Sequence, residues 1–264
     1  MTLRIPSLIF LLFFLGCSGY ASYAVGFRDR LARKDYEGVR LSLNKASKGR
    51  DKLLYFLEKG LVDRYQGDYR ESNIHFEQAE RLADQLYTRS ISREMAALLT
   101  NDAVRAYRGD KFELVFINYY RSLNYWKLGL HEDALVECRK ANEKLSRYAA
   151  NAKNPTSYRT DAFIHWMTGL FYEATDELND AYVAYRDAHM AYLTYRKAFG
   201  ISPPPSLSQD LIRVGMKLGF ADDVEGLIGS GSSTSPEPLG GELILLCETG
   251  FVSRKFQEEI NLPI

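Results

Sequence analysis

A serine and a lysine three residues apart, Ser42 and Lys45, have a spacing that nucleophilic catalysis could use. On a helix the two side chains would lie one turn apart, so the amine could accept the proton of the serine hydroxyl. Enzymes that use this Ser-x-x-Lys pair also carry Ser-Asp-Asn and Lys-Thr-Gly motifs, and the sequence contains neither. We therefore expect no catalysis at Ser42.

Side chains that bind metals or phosphates are not grouped along the chain. The four histidines, His75, His131, His165 and His189, are widely spaced, and none belongs to a His-Glu-x-x-His motif. No glycine-rich loop carries the lysine that a phosphate site needs. We therefore expect no metal, no cofactor and no enzymatic activity.

The three cysteines, Cys17, Cys138 and Cys247, do not form a disulfide framework, and the chain has no Cys-x-x-Cys pair. Cys138 and Cys247 each lie in an apolar stretch, so we expect both to be buried free thiols. A disulfide between them in an oxidising compartment is the alternative.

The N-terminus resembles a bacterial export signal that ends in a lipidation site. After Arg4, residues 8–15 are all apolar, a run that suits a signal peptide and is too short to cross ~30 Å of hydrocarbon as a helix. Phe14-Leu15-Gly16-Cys17 then resembles a lipobox, in which the cysteine receives diacylglycerol and cleavage occurs just before it.

Ser18 stands where an inner-membrane retention signal would have aspartate, which by this resemblance implies the outer membrane. We therefore expect a lipid anchor at Cys17, on the periplasmic side of the outer membrane. The alternative is a soluble periplasmic protein released by an ordinary signal peptide.

The charge balance argues against nucleic acid as a partner. The chain of 264 residues has 34 Lys plus Arg and 34 Asp plus Glu, so its formal net charge is zero. Phosphate binding needs clustered positive charge. Residues 28–52 are locally basic and could contact anionic headgroups, but a solvated helix face is the simpler interpretation.

Three segments of the chain repeat one order of small and bulky residues, with helical spacing between them. The first residue of each segment, a glycine or a serine, serves as the reference. A bulky residue follows sixteen positions after it and an alanine nineteen positions after it, and in two segments a glycine follows seven positions after it. The residues are Gly60, Gly67, Phe76 and Ala79; Ser122, Gly129, Cys138 and Ala141; and Gly169, Tyr185 and Ala188. These offsets resemble the tetratricopeptide repeat, a helix–turn–helix unit of 34 residues, and a half repeat at Lys34-Asp35-Tyr36 precedes them.

This pattern predicts an all-α fold, a tetratricopeptide-like α-solenoid with a short C-terminal β-hairpin. An extra helix is expected near residues 90–107, and a final helical pair over 207–228 with its turn at Gly219-Phe220. The predicted boundaries are a lipoprotein signal peptide at 1–16, a tether at 17–26, the helical domain at 27–228, a Gly/Ser/Pro linker at 229–241 and a β segment at 242–264.

Tetratricopeptide domains bind their partners in a concave groove lined by the first helix of each pair, and the resemblance implies the same surface here. Positions five, nine, twelve and thirteen of each repeat face this groove. We expect a protein or peptide partner to contact Leu57, Leu61, Arg64 and Tyr65; Tyr119, Leu123, Trp126 and Lys127; and Trp166, Leu170 and Glu173. The alternative for the two tryptophans is simple packing between helices.

Six stretches of sequence resemble a group of poorly characterised bacterial tetratricopeptide lipoproteins. They are Tyr107-Arg108-Gly109-Asp110-Lys111-Phe112-Glu113, Ile117-Asn118-Tyr119-Tyr120, Ala134-Leu135-Val136-Glu137-Cys138-Arg139-Lys140-Ala141-Asn142, Gly169-Leu170-Phe171-Tyr172-Glu173, Gly241-Glu242-Leu243-Ile244-Leu245-Leu246 and Gly250-Phe251-Val252. Members look like cell-envelope proteins, some encoded near activators of penicillin-binding proteins, which implies an envelope role.

The sequence thus predicts a membrane-anchored adaptor or scaffold that binds a protein partner in the bacterial cell envelope. A link to peptidoglycan synthesis or outer-membrane assembly is expected, and no nucleic acid. One alternative is an envelope hydrolase or synthase with an unrecognised site. The other is a structural subunit of a secretion or pilus machine.

Overall fold

The computed structural model describes residues 19–46, 52–93, 107–150, 160–229 and 243–248. Its helices are α1 (Gly19–Ala32), α2 (Tyr36–Ala46), α3 (Lys52–Gln66), α4 (Tyr69–Arg93), α5 (Lys111–Lys127), α6 (His131–Ala150), α7 (Ala162–Ala174), α8 (Leu178–Phe199), α9 (Pro205–Lys217) and α10 (Ala221–Ile228). Among these helices, none is both long enough and apolar enough to cross a bilayer.

The helices form five consecutive hairpins, α1–α2, α3–α4, α5–α6, α7–α8 and α9–α10, each packed on the next. Contacts join mainly neighbours in the sequence, which is the arrangement of proteins built from stacked repeats. The part of the chain that the structure describes is therefore all-α and compatible with an α-solenoid, as predicted.

Each hairpin turns through one residue in the left-handed region of backbone space. These residues are Lys34 (φ 59°), Gly67 (87°), Gly129 (73°), Asp176 (63°) and Gly219 (78°). A glycine adopts this conformation without steric cost, whereas a residue with a Cβ does so less readily. The same turn therefore recurs in all five hairpins, including the two where no glycine marks it.

Close contact between the two helices of a hairpin explains the sixteen-residue offset. A Cβ added to Gly60 would lie 2.8 Å from the ring of Phe76, and one added to Gly169 would lie 2.4 Å from the ring of Tyr185. In the remaining repeated segment, Ser122 takes the place of the glycine and faces Cys138, which is smaller than an aromatic residue; both are fully buried. Where the residue on the first helix is larger, the residue packed against it on the second helix is smaller, so the space between the helices stays filled.

Charged side chains are buried where α4, α5 and α6 meet. The guanidinium of Arg121 lies 2.9 Å from a carboxylate oxygen of Glu80 and 3.3 Å from one of Glu137. Lys144 pairs with Glu80, and Asn118 donates to Glu137 at 2.6 Å. Burial alone would raise the pKa of Glu80, but Lys144 and Arg121 hold it below its ordinary value. We call these five residues the buried ion cluster.

Residues 19–26, which we expected to belong to a tether, form the first turns of α1. Tyr23 donates a hydrogen bond to Glu58 of α3 at 2.7 Å, and Phe27 is buried in the core of the first hairpin. Aromatic side chains that pack on neighbouring helices therefore stabilise a helix in a stretch of otherwise small residues. The predicted signal peptide and Cys17 lie outside the described residues.

Residues 243–248, expected as the first strand of a β-hairpin, belong to no strand and no helix of the described structure. The prediction of a hairpin is therefore not supported for this half, and the other half, 251–264, lies outside the described residues. An isolated strand pair is marginal in water. Residues 244–248 lie instead against the helices, and their apolar side chains stay partly exposed.

Two expectations for the later helices can be compared with the structure. Helix α4 has 25 residues and ends at Arg93, inside the stretch where an extra helix was expected; residues 94–106 of that stretch are not among those described. The final helical pair is confirmed. Its first helix begins at Pro205, where a fixed φ suits the first turn and no amide donor is lost.

The two described cysteines are both free, without a disulfide between them. Cys138 is buried, as expected, and burial raises the pKa of its thiol to about 11. Cys247 is exposed, so the expectation of a second buried thiol is wrong. The apolar run that carries Cys247 lies on the surface of the helices rather than inside a core.

Candidate functional site

A groove runs across the first helices of three hairpins. It is lined by Tyr119 of α5 and by Phe163, Trp166 and Leu170 of α7, and it continues to Arg64 of α3. We call the surface formed by these five side chains the groove. The last described residues of the chain, 243–248, lie in it and enclose with it a cleft of about 170 Å³. We call residues 243–248 the C-terminal segment.

Alternate side chains of the C-terminal segment face the groove. Leu243 and Leu245 are 81% and 75% exposed, whereas Ile244 and Leu246 are 45% and 38% exposed. This period of two is that of an extended chain, whose successive side chains point to opposite sides. Ile244 and Leu246 are therefore the side chains turned more toward the groove, although Leu245 and Cys247 also border the cleft.

The carboxylate of Glu248 is held at the polar end of the groove. The hydroxyl of Tyr119 donates a hydrogen bond to Glu248 Oε1 at 3.0 Å, and Nη2 of Arg64 lies 3.8 Å from the same oxygen. Glu248 continues the alternation of Ile244 and Leu246. The segment therefore crosses the groove with two aliphatic side chains and one carboxylate turned inward.

Arg64 is fixed in position by contacts other than Glu248. Its Nη1 donates to the side-chain oxygen of Asn124 at 2.7 Å, and its guanidinium carbon lies 5.4 Å from the ring centroid of Tyr120. A hydrogen bond and a cation–π contact together restrict the rotation of this long side chain. The positive charge of the groove is therefore positioned by the helices themselves.

Three tyrosines surround the carboxylate. Burial raises the pKa of Tyr119 and of Tyr120, and the charge of Glu248 raises both further, while Arg64 opposes the rise. The pKa of Tyr65 is raised by the same two causes in the same order. All three phenols therefore stay protonated at neutral pH, and Tyr119 remains a hydrogen-bond donor.

Of the residues predicted from the repeat frame, several meet at this groove. Arg64, Tyr119, Trp166 and Leu170 line it, and Tyr65 is near enough for Glu248 to affect its pKa. The indole nitrogen of Trp166 points away from the cleft and donates to Asp210 of α9 at 2.8 Å. Trp166 therefore presents ring surface to the groove while its polar atom is already bonded.

Trp126 does not line the groove. Its ring stacks on Phe171 of α7 at a centroid distance of 4.1 Å and on His131 of α6 at 4.2 Å. Two rings thus cover both faces of the indole. The alternative that we gave for Trp126, packing between helices, is the one that the structure shows.

Two predicted charged residues also lie elsewhere. Glu173 accepts two hydrogen bonds from Arg213 of α9, at 2.9 and 2.8 Å, and one from the hydroxyl of Tyr185 at 2.7 Å. The contacts with Arg213 join the fourth hairpin to the fifth, and the contact with Tyr185 lies within the fourth. Lys127 is exposed in the last turn of α5 and does not line the groove.

Sequence reasoning missed Phe163, Tyr120 and the C-terminal segment. Phe163 lies three residues before Trp166 on the same face of α7, so helical spacing could have identified it. Tyr120 follows Tyr119 directly and supports Arg64. The apolar run in 243–248 was visible, but it was assigned to a strand of a hairpin, because sequence alone does not say what an apolar segment packs against.

The arrangement suits the binding of a peptide. Its contact surface is aromatic and aliphatic, with one guanidinium and one phenol directed at a carboxylate. Among the described residues, no three His, Cys, Asp or Glu side chains are placed to hold a metal ion.

Comparisons with known proteins bear on the fold. No family model matches the chain, and no curated protein matches its sequence. The fold is shared with a solved structure. BtubC (BKLC) from P. vanneervenii superposes with a TM-score of 0.52 over 87% of each chain, at 15% sequence identity. At this identity the likeness extends to the helical architecture alone.

Proposed function

We propose that this protein is a lipid-anchored adaptor of the bacterial cell envelope that binds a protein partner through an extended peptide in the groove. One observation carries the proposal: the groove already holds an extended apolar stretch, residues 243–248, against Tyr119, Trp166 and Leu170. A surface that accommodates one such stretch in this way has the shape and chemistry to accommodate another.

The hairpins support a tetratricopeptide-like repeat. Residues sixteen apart pack across each of three hairpins, and a left-handed residue ends each first helix seven positions after the reference residue, at Gly67, Gly129 and Asp176. In such repeats the first helices line the binding surface, and the groove lies on first helices α3, α5 and α7. The register and the position of the groove therefore agree.

The composition of the groove suits protein recognition. Tyrosine, tryptophan and arginine contribute most often to binding energy, because they combine apolar surface with hydrogen bonding. Tyr119, Trp166 and Arg64 are all present, and the last is held by Asn124. A binding surface that is already ordered loses less entropy when a partner binds.

The anchor part of the proposal is supported by the sequence around Cys17. In cells fed radiolabelled palmitate, we expect the wild-type chain to be labelled and a Cys17→Ala variant to carry no label. Label that persists in the variant would refute the anchor. A single acyl chain binds a membrane only weakly, so stable attachment of the adaptor requires the full lipoprotein modification.

The adaptor part is tested by photo-crosslinking in cells. A photoreactive phenylalanine analogue replaces Leu170 in the groove or, as the control, Met190 on α8, which is 50% exposed. We expect a discrete crosslinked protein from position 170 and none from position 190. Identical products from both positions, or none from position 170, would refute partner binding at the groove.

A further inference from the structure

We propose that the groove recognises extended peptides with two aliphatic side chains at alternate positions followed by a carboxylate. The chain's own C-terminal segment is a resident ligand of this kind, and a partner peptide of the same chemistry must displace it. This inference rests on the proposed function, because it names the ligand class of the same site. It goes beyond that function because it makes the C-terminal segment a competitor of the partner peptide for the groove.

The first argument is the register of the bound segment. Ile244 and Leu246 are about half as exposed as Leu243 and Leu245, and the carboxylate of Glu248 is held by Tyr119 and Arg64. An extended ligand presents only every second side chain to one surface. The groove therefore reads an aliphatic–x–aliphatic–x–carboxylate pattern and leaves the intervening positions free to vary.

The second argument is charge complementarity at one end of the groove. The only groove residue with a positive charge is Arg64, and the hydroxyl of Tyr119 is directed at the same carboxylate oxygen. Arg64 also donates a hydrogen bond to Asn124, which belongs to helix α5 and not to the segment. An approaching peptide thus meets a donor pair that is already in place, and a carboxylate is the group that fits it.

The third argument is connectivity. Thirteen residues, 230–242, join Gly229 to the segment, and their Gly, Ser and Pro composition is that of a linker. A ligand joined to its site by a short linker of this composition has an effective concentration on the order of millimolar. A partner peptide at micromolar concentration therefore competes only when its affinity for the groove is much higher than that of the resident segment. The segment consequently sets a threshold for binding.

The matched variants follow from the alternation. Ile244→Asp/Leu246→Asp places two charges on the inward side chains and should release the segment. Leu243→Asp/Leu245→Asp places two charges on the outward side chains of the same six residues and should leave it bound. Both variants add the same charge to the same segment, outside the helices, so a general effect on folding does not separate them.

The probe is a fluorescein-labelled peptide of residues 240–250 carrying Cys247→Ser, titrated into the full chain purified in detergent and followed by fluorescence anisotropy. We expect the inward variant to bind the probe at least tenfold more tightly than wild type, and the outward variant to bind it like wild type. An inward variant that gains nothing, or an outward variant that gains equally, would overturn the proposal.

A second probe tests the carboxylate. The same peptide with Glu248→Gln should bind the inward variant at least fivefold more weakly than the unmodified probe. Equal binding of the two probes would overturn the claim that the groove selects a carboxylate.

The inference and the proposed function can fail separately. If position 170 crosslinks an envelope protein equally well in wild type and in the inward variant, the adaptor stands and competition by the resident segment is refuted. If the probe binds the inward variant but position 170 captures no protein in either chain, the resident ligand stands and the adaptor is refuted.

Discussion

The first helices of the hairpins have two faces that are closed in different ways. The face toward the second helices is closed by contacts within the folded body, such as Gly169 against Tyr185 and the buried ion cluster. The opposite face, the groove, is covered by six residues that arrive from beyond the last described helix. Changes on the first face should therefore alter stability, and changes on the second should alter binding.

The largest effect is expected in the buried ion cluster. Arg121→Ala leaves Glu80 and Glu137 buried without their shared cation and should lower the free energy of unfolding by about 3 kcal/mol. Urea denaturation measures this. The control is Arg81→Ala on α4, whose exposed pair with Glu77 should contribute less than about 1 kcal/mol. Equal losses in the two variants would contradict the difference between buried and exposed pairs.

A close second is the contact between the helices of the fourth hairpin. The added methyl group of Gly169→Ala would overlap the ring of Tyr185, and we expect a loss of about 2 kcal/mol. Gly226→Ala on α10 is the matched control, because nothing lies within 4 Å of its added Cβ. There the change should stabilise the protein by roughly 0.5–1 kcal/mol through helix propensity, as thermal denaturation would show.

The two tryptophans offer a direct comparison of the two faces, since the repeat positions predicted both to line the groove. Trp126→Leu removes a ring stacked between Phe171 and His131 and should cost about 1–2 kcal/mol of stability. In the background of the inward variant it should leave probe binding within about twofold. A large loss of binding with unchanged stability would place Trp126 on the groove face after all.

A smaller effect is expected from pH. The pKa of Glu80 is lowered in the folded state below its ordinary value of 4.5. Its contribution to stability is therefore complete above pH 4.5 and is lost as pH falls through the folded-state pKa. We expect the melting temperature of wild type to fall over this range more steeply than that of Glu80→Gln. Parallel curves would mean that Glu80 does not titrate as its contacts imply.

The smallest effect on stability is expected on the groove face. Tyr119→Phe removes only the hydroxyl that donates to Glu248, so its melting temperature should stay within about one degree of wild type. Probe binding to the inward variant should weaken about fivefold, in line with roughly 1 kcal/mol for such a bond. Unchanged binding would show that Arg64 alone holds the carboxylate.

Much of the helical architecture could be predicted because its determinants are short-range. Gly60 and Phe76 are only sixteen residues apart and belong to one hairpin, so the sequence records both sides of the contact. The same holds for the turn at Gly219. The start of α1 was missed, since its small residues obscured two aromatic side chains, Tyr23 and Phe27, that hold it to other helices.

The groove could be predicted only in part, because its polar contacts are long-range. Glu248 is 129 residues from Tyr119, and no local pattern connects them. Glu173 had the right position in the repeat, but its carboxylate is taken by Arg213, forty residues further on. A repeat frame specifies which face a side chain lies on, whereas its partner depends on the rest of the fold.

Because Cys247 is exposed and Cys138 is buried, a label on Cys247 would report the position of the C-terminal segment. The thiolate is the form that reacts with alkylating dyes, and burial keeps the thiol of Cys138 protonated at neutral pH. Cys247 is exposed and adjoins Glu248 at the polar end of the groove. An environment-sensitive fluorophore on Cys247 would therefore report, in real time and at the native residue, each departure of the segment from the groove and each return.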